Sequence, residues 1–150
     1  MPTIRTRGWV DAPVERVFAF FDDPANLGRL TPPPARVRLV GVQPSPPRAG
    51  SVLEFRYGIG PWTPVAWRVR LEERVEPERF ADTTLSGPMA RFDHVHAFTP
   101  GRRGTWVSDE ITYHVGPDGA LGVAVDAAAG LLMRAVFVYR HALTRWLLRR

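Results

Sequence analysis

Apolar and charged positions alternate most regularly between Val65 and Val75, where Val65, Trp67, Val69 and Leu71 are interleaved with Arg68, Arg70 and Glu72. A period of two is that of a strand with one dry face and one wet face, as in an antiparallel sheet covered on one side only. Weaker alternation predicts further strands over Thr3–Val10, Val37–Val42 and Ser51–Ile59. From Phe80 to Tyr113, two turn signals, Gly87-Pro88-Met89 and Gly101-Arg-Arg-Gly104, divide the chain into three short alternating runs, the pattern of a meander.

The helical signals lie at the two ends. Asp11-Ala12-Pro13 opens a helix on which Val14, Val17, Phe18 and Phe21 share a face, and Asp22-Asp23-Pro24 closes it. A second short helix fits Pro24 to Leu30, stopped by Pro32-Pro33-Pro34. After Pro117-Asp118-Gly119 the strand signals cease. Val125, Ala128, Leu132, Val136, Tyr139, Leu143 and Trp146 then form a stripe at three- and four-residue spacing, with Arg134, His141 and Arg145 largely on the other side. Gly122 and Gly130 weaken the first part, so a break near Gly130 is expected, with a firmer helix from Leu131 to Leu148. The order is strand, two short helices, six strands, long helix. A sheet with one dry face must cover it, and the long helix is the available cover.

Within the meander, antiparallel counting faces Phe80 with Phe98, Asp82 with His96 and Thr84 with His94. Across the next turn it faces Phe98 with Val107, His96 with Asp109, His94 with Ile111 and Phe92 with Tyr113. On this count Asp82, His96 and Asp109 form a row across three strands, on a face that mixes aromatics with a few polar groups. Such a mixture suits the lining of a ligand cavity.

Composition narrows the picture. The 150 residues are expected to form one domain, residues 1–150, and an apolar fraction of 45% excludes a disordered chain. The net charge is +5 and all 20 basic residues are Arg, but they are scattered, with density only in the tail, so no nucleic-acid partner is expected. There is no Cys. No signal peptide is expected, because Met1-Pro-Thr-Ile-Arg-Thr-Arg lacks an apolar core, and no integral membrane segment, because the run from Gly119 to Met133 is interrupted by Asp126 and is too short to span a bilayer. A cytoplasmic location is the default expectation. Trp62 on its loop and the tail Trp146-Leu-Leu-Arg149-Arg150 leave peripheral membrane contact open, and the oligomeric state is left open too.

Several local motifs carry a resemblance that runs over essentially the whole chain. They include Ala12-Pro13-Val14 with Val17-Phe18, then Asp23-Pro24, Asn26-Leu27 and Leu30-Thr31-Pro32-Pro33. Trp67, Pro77 with Phe80 and Asp82, Gly87-Pro88, His94-Val-His96-Ala-Phe98, Gly104-Thr105, Asp109 and Tyr113 follow in order. Together they resemble the START or helix-grip (SRPBCC) superfamily, which includes lipid-transfer domains, birch-pollen-allergen-like proteins and polyketide cyclases. Within it they are most similar to the polyketide cyclase/dehydrase and coenzyme Q-binding branch of bacterial single-domain proteins. The resemblance implies an α+β fold, a curved antiparallel sheet of about seven strands wrapped around the C-terminal helix. It also implies a cavity between them for an apolar ligand.

Three readings are open for the polar row. The carboxylates and imidazoles can form a buried network that fixes strand register, since a lone buried carboxylate is costly. They can orient the polar end of a small hydrophobic ligand such as a lipid, an isoprenoid quinone or a polyketide-like compound. They can also act as general acid and base in a cyclase or dehydratase, with His94, His96, Asp82 and Asp109 as the catalytic candidates. On the ligand reading, Trp67, Val69, Phe80, Phe92, Phe98, Ile111 and Tyr113 supply apolar wall. Asp82, Thr84, His94, His96 and Asp109 supply polar contacts, and Leu132, Val136 and Tyr139 close the cavity from the helix. An interaction module with a filled cavity is a further alternative. No cofactor and no metal are expected: His94 and His96 share a face, but His114 falls on the opposite face and His141 on the polar side of the helix.

Overall fold

In the computed structural model, which describes residues 1–61 and 64–149, seven antiparallel strands form one sheet in the order β1-β7-β6-β5-β4-β3-β2. Trp62, placed above on a loop, lies outside the described residues, as does Arg150 of the tail. The elements are β1 (Thr3–Val10), α1 (Val14–Asp22), a 3-10 turn (Pro24–Leu27), β2 (Ala35–Gln43), β3 (Val52–Ile59) and β4 (Val65–Val75). They continue with β5 (Arg79–Ser86), β6 (Arg91–Pro100), β7 (Thr105–His114) and α2 (Ala120–Leu148). This is the α+β helix-grip arrangement expected, with the short second helix reduced to a single 3-10 turn.

The alternation of β4 and β6 turns one row of side chains inward and the other outward. Outward charges pair on the surface, as in Arg5–Glu110 and Arg70–Glu72. The β4–β5 pairing shifts register twice, with Leu85 the extra residue on β5 beside Arg68/Val69 and Glu72 the extra residue on β4 between Leu71 and Glu73, and such bulges bend a sheet. α1 packs Val17 and Phe18 onto the concave face beside Phe80 and Phe98, forming the larger core. Its end is tied to β4 by a two-pronged ion pair in which Arg74 Nε and Nη2 donate to Asp22 at 2.8 and 2.7 Å. A smaller core under α2 groups Ile4, Phe92, Ile111, Tyr113 and Phe137.

Two expectations about register and helix fail in instructive ways. The β6–β7 pairing is as counted, with His96 opposite Asp109 and Phe92 opposite Tyr113. The β5–β6 hairpin, however, is centred on Pro88, so Phe80 faces His96 and Asp82 faces His94. The shift is two residues, which keeps every side chain on its face but makes the Asp82–His96 contact diagonal.

The larger correction concerns α2, which is continuous through Gly130 and turns a different face inward. Its buried residues are Gly122, Asp126, Gly130, Phe137, His141, Thr144 and Leu148, whereas Leu132 and Tyr139 of the expected core stripe are exposed at 68% and 41%. Specific partners decide the orientation. Asp126 accepts hydrogen bonds from the backbone N–H of Val115 and Gly116 and from His114 Nδ1. Tyr113 Oη donates to the Asp126 carbonyl at 2.8 Å. A Cβ on Gly130 would lie 2.2 Å from Tyr113 Oη, so this glycine permits close approach and does not break the helix. By length and composition alone α2, with 29 residues and an apolar window of mean hydropathy 1.8, could cross a membrane; here its inner face lies on the sheet.

Candidate functional site

The inward positions of β5, β6 and β7 bring Asp82, His94, His96 and Asp109 together, and α2 adds His141, which sequence spacing had placed on the polar side. Asp109 is the hub. Its Oδ1 accepts from His94 Nε2 at 2.8 Å, and His96 Nδ1 lies 3.0 Å from the same oxygen. That second contact is poorly aligned, leaving His96 Nδ1 without a well-formed hydrogen bond. Oδ2 lies 3.0 Å from His141 Nε2, itself 3.1 Å from Thr6 Oγ1. Gly8 makes room for this ring: a Cβ there would stand 2.6 Å from His141 Cγ.

Burial would raise the Asp109 carboxyl, but the contacts from His141, His94 and His96 hold it well below the usual carboxylate range. Burial and the neighbouring His96 push His94 down to about 3, against the pull of its bond to Asp109, so its imidazole is neutral. Asp82, only partly solvated, is raised to about 6 by burial. The cluster thus holds one firmly ionised carboxylate, one carboxylate that is easily protonated and a neutral imidazole.

In front of the cluster lies a cavity of about 110 Å³. Seven of the expected contacts line it: Trp67, Val69, Phe80, Asp82, Phe92, His94 and His96. Asp109 stands behind the histidines, and Phe98 and Ile111 are packed in the two cores. Thr84 Oγ1 accepts from Trp67 Nε1 at 2.9 Å and so braces the indole, while Tyr113 is committed to Asp126. Leu132 and Tyr139 point outward, and half-buried Val136 is not among the lining residues. The helix therefore does not close the cavity through these three. Instead α1 and the 3-10 turn close it with Phe20, Phe21 and Leu27, and β3 contributes Leu53 and Phe55. The adjacent Phe20-Phe21 was the available signal, since a helix with one apolar face cannot hide two neighbouring aromatics against the same core.

α2 contributes Arg140, also not foreseen. Its guanidinium packs over the Phe137 ring at 4.8 Å, and burial lowers its pKa against the opposing pull of Asp109 and Asp82. Asp82, His94 and His96 each offer an atom within 4.8 Å of the others and are the residues that could hold a metal ion. The nearby positive charge of Arg140 disfavours a second cation there. It suits a negatively polarised oxygen instead.

The sequence family described as "Polyketide cyclase / dehydrase and lipid transport" matches residues 1–145. The chain belongs to this family. No curated protein matches it in sequence. Among solved structures, the protein CV1439 from Chromobacterium violaceum is similar over 100% of this chain and 99% of its own, at 20% identity and a TM-score of 0.79. The di-domain ARO/CYC StfQ of the steffimycin biosynthetic pathway is similar over 97% of this chain and 50% of its own, at 13% identity and a TM-score of 0.76. Ara h 8.0201 is similar over 95% and 97%, at 13% identity and a TM-score of 0.64. At these identities the likeness shows the fold, which carriers and enzymes share.

Proposed function

We propose that this member of the family binds a compact hydrophobic molecule bearing a carbonyl or phenolic oxygen. The observation that carries the reading is the two-ended cavity. Phe20, Phe55, Trp67 and Phe92 supply an aromatic barrel, and Asp82, His94, His96 and Arg140 form a polar pole. At about 110 Å³ it lies below the roughly 300–1,000 Å³ of common ligand pockets, which favours a small aromatic or polyketide-like ligand over a long-chain lipid or isoprenoid quinone. A polar pole in an apolar cavity costs desolvation, and a ligand oxygen placed between Arg140 and His96 recovers it. The test is calorimetric titration with 2-naphthol, alongside native mass spectrometry and extraction of the purified protein. Saturable binding weakened about tenfold or more in Arg140→Met supports the reading, on the scale of one charge-assisted hydrogen bond. Binding that is absent, or indifferent to Arg140, sinks it.

A second reading rests on His96, whose Nε2 lies 3.9 Å from Asp82 with Asp109 at its other nitrogen. A carboxylate-backed imidazole at a cavity wall suits proton transfer at carbon beside a carbonyl. In an aldol cyclisation it would take that proton, and the resulting enolate carbon would attack a second carbonyl. The imidazolium would then return the proton to the new alkoxide. StfQ, an ARO/CYC by name, shares the fold and lends this reading its chemical class. Turnover of a poly-β-ketone abolished in His96→Ala, with 2-naphthol binding weakened but still saturable, would separate it from simple carriage.

A further inference from the structure

The outer face of α2 is the most anomalous surface of the molecule. Leu121, Leu131, Leu132 and Trp146 are exposed at 68, 74, 68 and 57%. Soluble surfaces rarely carry so continuous an apolar strip without a partner. The strip has a definite period. Starting from Leu121, the apolar positions Val125, Ala128 and Leu132 follow at steps of four, three and four, and Ala135, Tyr139, Ala142 and Trp146 continue at three, four, three and four. Sustained over about 37 Å, this is the seam by which one helix packs on another along its whole length.

We propose that α2 pairs in antiparallel fashion with α2 of a second copy of this chain, about a two-fold axis crossing the helix between Met133 and Arg134. The seam is self-complementary only in this direction. Turning it end for end sets Leu121 against Trp146 of the partner subunit and Val125 against the partner's Ala142. Ala128 then meets the partner's Tyr139, and Leu132 meets the partner's Ala135. Inside the ends each large side chain faces an alanine, the alternation that lets two helices approach closely. A parallel pair would stack Tyr139 on its own copy and leave alanine opposite alanine.

Charge agrees with this direction. An antiparallel pair brings Arg149, just past the C-terminal end of α2, to the end of the partner helix that Asp118 of the partner subunit precedes, and Asp118 is fully exposed, 3.8 Å from its own His114. Arg134, the charge nearest the axis, is turned back onto its own β1, with Nη1 3.5 Å from the Arg5 carbonyl oxygen. A lipid surface would gain little from three alanines along the middle of the strip, whereas a second helix uses them. An isologous contact of this kind closes on itself and leaves the cavity, which lies between the sheet and the inner side of α2, free.

Sedimentation equilibrium in the micromolar range should give twice the 16.8 kDa chain mass. Leu132→Glu, placed twice in the interface by symmetry, should weaken the dimer by roughly 100-fold, while the circular dichroism of the monomer stays unchanged because the site is exposed in it. Because the chain has no Cys, direction can be read by cross-linking. Leu121→Cys with Trp146→Cys in one chain should oxidise to a covalent dimer, and Leu121→Cys alone should not. Three results would overturn the proposal: a monomer throughout the range, a dimer indifferent to Leu132→Glu, or self-cross-linking of Leu121→Cys alone. A monomer that sediments with vesicles containing anionic lipid would point to the membrane instead and would equally overturn it.

Discussion

The two faces of α2 differ in a way that reverses the usual rule for a surface helix. The inner face carries Asp126, His141 and Thr144 among its buried residues, while the outer face carries leucines, alanines and Trp146 in solvent. Apolar transfer alone would turn the helix over. The inner face wins because its polar groups have dedicated partners: Asp126 takes the N–H groups of Val115 and Gly116, and His141 lies against Asp109 and Thr6. Buried polar groups so satisfied cost little, and exposing one partner alone would cost much. Hydrophobicity says that a face will be covered; the hydrogen-bond ledger says by what.

The inner face should therefore be fragile and the outer face tolerant. The largest effect is expected from Asp109→Ala, which leaves three histidines around an empty hub; a loss of about 3–5 kcal/mol in urea unfolding is the scale for breaking a buried charged cluster. A loss below about 1 kcal/mol, the net worth of one ordinary hydrogen bond, would show that the cluster is not structural. Gly130→Ala comes next. Helix propensity favours alanine by about 1 kcal/mol, yet the added Cβ would stand 2.2 Å from Tyr113 Oη, and a net loss of about 1–3 kcal/mol is expected from overpacking. A stabilised variant would contradict the close approach.

Acid should reach the inner face through Asp126, whose carboxyl is lowered to about 2, first by the Val115 N–H and then by His114. A depressed carboxyl contributes stability that is full above its unfolded value of about 3.9 and is lost as pH falls toward its folded one. The thermal midpoint should thus drop between about pH 4 and pH 2 in the native chain, and more gently in Asp126→Asn, at each step of a pH series. Smallest of all is the outer face: Leu131→Gln should change the unfolding free energy of the monomer by no more than about 0.5 kcal/mol. A large loss there would mean that monomer and dimer stability cannot be separated, so the comparison should be made on the Leu132→Glu background.

Much of the architecture was legible because alternation is a local property. Val65 to Val75 was read as one strand and is one, and the pairing of His96 with Asp109 followed from a two-residue turn. The histidine–carboxylate cluster was visible for the same reason, since an even slip in the β5–β6 register leaves facing intact. His141 and Arg140 were not legible, and the adjacent Phe20-Phe21 signalled a second apolar contact without saying what it would cover. Each depends on how a helix is rotated or where it docks, and no spacing along a single helix encodes the position of a sheet.

By itself, the sequence determined the strand alternation, the element order and the existence of one long helix with an apolar stripe, because these depend on residues within a few positions of one another. Only the tertiary structure decided which side of that helix faces the sheet, which side chains close the cavity and which carboxylate is the hub. Those outcomes rest on pairings between residues as far apart as Thr6 and His141. The free energy of a buried polar group is set by the partner it meets, and the chain does not name that partner until it has folded.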